Sequence, residues 1–184
     1  MAAFFGASLN ETDFRRIQKA VDRLIVSARR AQTECPRTLA EGYVEEVREA
    51  IISSKYSSKY QDYNERYEEW KHKHGKGLRF WDLFGDLISN LHAFPVESGF
   101  FGGIPSGTMD SGGKSWLGKG DKGPSKDIAW YGWIMEEGGV FVGNAGVTQR
   151  HPKRALFTPV FNSYKIRARK ALTPYVLEFR ECWK

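Results

Sequence analysis

Only two cysteines, Cys35 and Cys182, occur among the 184 residues, and they stand far apart with no Cys-x-x-Cys spacing. That excludes a disulfide framework or a cysteine-based zinc knuckle, and both read as free thiols. Neither has a neighbour in sequence that marks it as a nucleophile. Histidine is nearly as scarce. His72 and His74 lie two apart, His92 falls in a strand-like stretch and His151 precedes a proline, so no pair sits at ligand spacing on one face. Long apolar runs are missing too: none approaches the ~20 residues of a membrane span. The opening Met1–Ser8 lacks the basic flank and long apolar stretch of a secretion signal, so the expected setting is a cytosol.

Motifs for catalysis are equally thin. Thr108–Ser115 resembles a phosphate-binding loop only in its Gly-Lys-Ser ending. Thr108 replaces the first glycine, no apolar strand directly precedes it, and Gly118 and Gly120 stand where the helix should open. The acidic pairs Glu45-Glu46, Glu68-Glu69 and Glu136-Glu137 point apart on a helix and carry no acid–base signature. The expectation is a protein that is not an enzyme and takes no cofactor or metal.

What is present is an ordinary globular composition, 41% apolar and 27% charged, at a length suited to one domain. The charge is uneven. From Thr148 to Lys184 nine basic residues face two acids, a net of +7 against +6 for the whole chain, so the remainder is near −1. Such an end can meet nucleic acid or an acidic protein surface, or form a solvated helix face. Within it, Lys165-Ile-Arg-Ala-Arg-Lys170 lies on a predicted helix that places 165 and 169 on one face and 167 and 170 on another, splitting the charge. A basic DNA-binding accessory protein is therefore the alternative reading.

Asn10 and Asp13 signal the start of a helix carrying Phe14, Ile17, Val21, Leu24, Ile25 and Ala28 at helical spacing. Cys35-Pro36 predicts a break, and a second helix follows with Leu39, Tyr43, Val44, Val47, Ala50 and Ile51 on one stripe. Tyr56, Tyr60, Tyr63, Tyr67 and Trp70 then step by four and three residues, a heptad-like aromatic stripe on a polar helix that is either packed on the body of the same domain or an interface. His92–Glu97 reads as a strand that Pro95 confines to an edge. Residues 99–125 are rich in glycine yet carry Phe100, Phe101, Ile104, Met109, Trp116 and Leu117, a loop too aromatic to be an inert linker; a glycine-rich hairpin competes for the same stretch. Asp127–Glu137 predicts a short aromatic helix stopping at Gly138-Gly139, and Val140–Val142 a strand. His151–Pro159 reads as extended. A last helix is expected from about Val160 to Leu172, ended by Pro174, with an arm over 173–184.

Taken in order, several of these segments resemble the tail-completion proteins of tailed bacteriophages, the virion morphogenesis or minor tail family. Tyr63–Lys71, Phe80–Leu87 with Ile88–Leu91, Ala129–Gly138 and His151–Pro159 (Pro152, Arg154, Phe157 and Pro159 within it) carry the likeness. The resemblance implies an α+β fold, with N-terminal helices and a C-terminal helix on a small antiparallel sheet. It implies a structural virion protein of the neck, a homo-oligomeric ring, taken as a hexamer, joining the head connector to the tail terminator or tail tube. Contact with genomic DNA in the channel is a further possible consequence, and no membrane is involved. The candidate partner-binding residues are Phe100, Phe101, Ile104, Met109, Trp116 and Leu117 of the glycine-rich loop. Arg167, Arg169, Lys170, Phe179 and Trp183 of the C-terminal region complete the set.

Overall fold

The computed structural model describes residues 10–60, 62, 65–73, 86–108, 128–142 and 148–183. The first helix, α1, runs unbroken from Glu11 to Ile52. Its start is as the sequence predicts: Asn10 Oδ1 accepts the Asp13 N–H at 2.9 Å, and Glu11 and Asp13 sit in the positive first turn. The predicted break does not occur, because Pro36 lies inside the helix. A proline there costs about 3 kcal/mol, and packing along both sides of it outweighs that cost.

The partner that supplies this packing is α5, Phe157–Glu181, which also holds its proline, Pro174, inside. The expected stop at Pro174 does not occur, and 173–181 of the expected arm belongs to this helix. The two helices run antiparallel, as contacts at three levels show. The Arg167 guanidinium bonds Glu46 at 2.7 Å, the Thr38 and Tyr175 hydroxyls meet at 3.1 Å, and Ser27 Oγ donates to Glu178 at 2.9 Å beside Cys182. Pro36 and Pro174 both stand within two residues of the Thr38–Tyr175 bond, so each helix is clamped where its own ladder is weakest.

A hairpin of β1 (His92–Val96) and β2 (Gly99–Gly103) lies on the C-terminal half of α1. His92 pairs with Gly103 and Val96 with Gly99, so Phe94 faces Phe101 across the strands with ring centroids 5.5 Å apart. The hairpin reading of the glycine-rich stretch therefore holds for its first part, while 109–127 falls outside the described residues. Gly102 is needed for the packing: a Cβ there would lie 2.8 Å from the Ala40 carbonyl oxygen.

The aromatic helix appears as α4, Ile128–Glu137, and stops at Gly138 and Gly139, whose φ values of 68° and 135° favour glycine. It leads into β3 (Gly139–Val142), antiparallel to β4 (Thr148–His151). The described architecture is therefore α+β, with two small two-stranded antiparallel sheets. The stripe from Tyr56 does not run as one continuous helix among the described residues. Tyr56 and Tyr60 flank a short 3₁₀ turn, Ser57–Lys59, and pack on the core, while α2 begins only at Glu65. Tyr63 falls outside the described residues.

Val44, Val47, Ala50 and Ile51 of α1 form the core with Leu87 of a short helix α3 (Asp86–Asn90), Leu91, Ile128, Met135, Leu156 and Val160. One buried charge organises its edge. The Glu136 carboxylate accepts the backbone N–H groups of Leu156, Phe157 and Thr158 at 2.6, 2.9 and 2.9 Å. It caps α5 from the neighbouring helix, where the N-terminal residue of α5 has no side-chain cap of its own.

Candidate functional site

Two apolar features face outward. The first is a groove of about 820 Å³ bounded by α1, β2, α4 and α5. Cys35, Pro36, Leu39 and Tyr43 form one wall. Phe100–Ile104 close one end, Ala129, Gly132 and Trp133 form the opposite wall, and Phe157, Phe161, Tyr164 and Lys165 lie along α5. Its size is that of ligand and peptide pockets. Trp133, Phe101 and Phe161 are each more than half exposed, so three large aromatic surfaces line an open trough.

Tyr43 of that first wall is held by contacts with α5. Its hydroxyl donates to the Phe157 carbonyl at 3.1 Å, and its ring meets Phe161 edge-on with centroids 5.9 Å apart. Burial, and then the negative charge of Glu136, push the Tyr43 phenol well above its ordinary pKa, so it stays protonated and keeps donating. Lys165, which lines the groove, donates from Nζ to Asn162 Oδ1 at 2.9 Å.

The second feature is the first part of α1. Beyond the Ser27–Cys182 contact the helix continues with sixteen residues, Glu11–Val26, none of them buried. At 1.5 Å per residue this arm extends about 24 Å past the end of the helix pair. Phe14, Ile17, Val21 and Ile25 lie along one stripe of it, each about 40–60% exposed. The apolar periodicity of this helix was legible in sequence; that no described part of the chain covers it was not.

Of the residues singled out in sequence, Phe100, Phe101 and Ile104 come together at the groove. Met109, Trp116 and Leu117 lie outside the described residues. The C-terminal set is dispersed. Arg167 is taken up by Glu46 on α1, Arg169 and Lys170 are exposed on α5, Phe179 is half-buried, and Trp183 is exposed beside the base of the arm. Arg154, counted in the basic tail, is buried, with its backbone N–H on the Met135 carbonyl at 2.8 Å. The groove walls on α4 and α5 were missed in sequence. A signal existed in Phe157, Phe161 and Tyr164, spaced four and three apart, which puts them on one helix face.

Comparison with protein-family models, with curated proteins and with solved structures gives no match.

Proposed function

We propose that the chain is a non-enzymatic structural subunit of a tailed-phage neck, one copy of a ring that joins the head connector to the tail. The observation that carries this reading is the exposed apolar stripe of the α1 arm, which no described residue covers. An amphipathic helix of about four turns gains little stability from its own hydrogen bonds in water and depends on packing of its apolar face. A subunit that is completed only on assembly presents such a surface. The groove is a second apolar surface, different from the arm and on another part of the chain. Two different surfaces that answer each other make a head-to-tail contact, and such contacts close into rings when the rotation per copy allows. The order of segments resembling tail-completion proteins supplies the neck assignment.

The test is complementation. A phage lacking this chain should accumulate filled heads and separate tails. Purified protein added to the extract should restore joined particles, and mass photometry should show it as a ring. A protein that stays monomeric and binds neither connector nor tail terminator would overturn the proposal.

A further inference from the structure

Several weak points of the fold fall at one level. Pro36 removes one N–H from the ladder of α1 and Pro174 removes one from α5, which leaves the carbonyls of Gln32 and Lys170 without their usual helical donors. The Thr38–Tyr175 hydroxyl bond ties the two helices there. The hairpin ends at the same place, since a Cβ on Gly99 at its turn end would meet Pro36 Cβ at 3.6 Å. Threonine hydroxyls bond back into each helix just ahead of its proline, Thr33 to the Arg29 carbonyl at 2.8 Å and Thr173 to the Arg169 carbonyl at 3.3 Å. Such back-bonds favour bending.

The two sides of this level are held by different forces. Toward the body, α1 buries Ala40, Val44, Val47, Ala50 and Ile51, and α5 buries Val160. Beyond the prolines the pair buries only Ser27 and Cys182, while Phe179 is half-buried. The links there are polar: Ser27 to Glu178 at 2.9 Å, Arg30 to Glu178 at 3.4 Å and Tyr175 to Glu34 at 3.5 Å. The Arg30–Glu178 pair is open to solvent, where such pairs contribute little. Buried apolar contacts separate segments that open only with the whole fold from those that open alone, and the outer part has few of them.

We propose that Pro36 and Pro174 form a joint, at which residues 11–35 together with 175–181 open or swing as one unit while the body stays folded. The Thr38–Tyr175 bond is its latch. The unit carries Phe14, Ile17, Val21 and Ile25, so the joint sets the direction in which that exposed stripe is presented. Fraying is a different process: it falls off smoothly from Glu11 inward and has no boundary at the prolines. The joint belongs to the folded single chain, so it holds or fails independently of the neck role.

Residue-resolved native-state hydrogen exchange on the full chain, at concentrations where it is monomeric, tests the joint. Amides of 27–35 and 176–181 should exchange about a hundredfold faster or more than those of 44–51 and 160–167, with a step at each proline and little dependence on denaturant. Pro36→Ala with Pro174→Ala restores both donors and should slow the outer amides about tenfold or more, leaving the inner ones unchanged. Tyr175→Phe breaks the latch and should speed the outer amides about threefold to tenfold. A smooth gradient without a step, equal protection on both sides, or outer amides indifferent to both variants would each overturn the proposal. So would a Tyr175→Phe chain whose inner amides accelerate equally, because the helix pair then opens as one body.

Discussion

A Cβ on Gly42 would overlap the hydroxyl of Tyr164, so the Tyr164 ring lies across α1 at this level only because position 42 carries no side chain. Gly42→Ala therefore sets two effects against each other. Helix propensity favours alanine by about 1 kcal/mol, and overpacking a close contact costs about 1–3 kcal/mol. The expected result is a net loss of up to about 2 kcal/mol, read as a lower urea midpoint at constant slope. Tyr164→Phe removes the overlapping oxygen but leaves a ring carbon 3.1 Å from the new Cβ, so the double variant should recover only part of the loss. A gain of stability in Gly42→Ala alone would show that the Tyr164 ring moves aside without cost.

The Glu136 cap makes a sharper demand. Three backbone donors at the start of α5 turn to this one carboxylate, and its residue is 8% exposed. Leaving buried donors unpaired costs about 1–3 kcal/mol each at the desolvated sites. Glu136→Ala should lose about 2–4 kcal/mol in all, since water reaches the half-buried ones. Glu136→Gln keeps one acceptor oxygen and should lose roughly half as much. Equal losses for the two variants would show that side-chain volume, not the hydrogen bonds, matters at this position.

Much of the fold was legible in the residues. The Asn10 cap, the stripe from Leu39 to Ile51 and the Gly138-Gly139 stop each rest on local physics, and each appears where expected. The failures share a cause. Pro36 and Pro174 are breakers by local rules, yet the bonds Thr38–Tyr175 and Ser27–Glu178 join helices more than a hundred residues apart in sequence. No window along the chain contains that information. The tyrosine run was legible as core or interface but not in its backbone: Tyr60 gives its hydroxyl to the Ala155 carbonyl at 2.8 Å and serves the core, from a short turn instead of the expected helix. The groove draws on four elements, and only its Phe100–Ile104 end was named from sequence.

His151 supplies a pH dependence of known sign. Burial, and then the positive charge of Arg154, lower its pKa from the ordinary value of 6.5. The neutral ring is thus favoured in the folded chain, and the unfolded chain binds the proton more readily. The contribution of this group to stability is present in full above the unfolded value and is lost as pH falls through the folded one. Denaturation midpoints measured downward from pH 7 should fall, and His151→Gln should flatten the part of that slope beginning near pH 6.5. An unchanged slope would show that other groups set it.

The arm and the core should respond to substitution in opposite ways. Val21 and Ile25 are 39% and 45% exposed, so Val21→Ser with Ile25→Ser removes little buried surface from the isolated chain. Folding stability at concentrations where the chain is monomeric should stay within about 0.5 kcal/mol of the parent. The weight-average mass at higher concentration should nevertheless fall, because polar side chains at these positions leave the stripe without the apolar surface that a partner would cover. Leu91→Ala provides the contrast: Leu91 is fully buried, and its truncation should cost about 2–5 kcal/mol. If the serine variant unfolds as readily as the core variant, the stripe is held by this chain itself. If it folds and self-associates as the parent does, assembly runs through another surface.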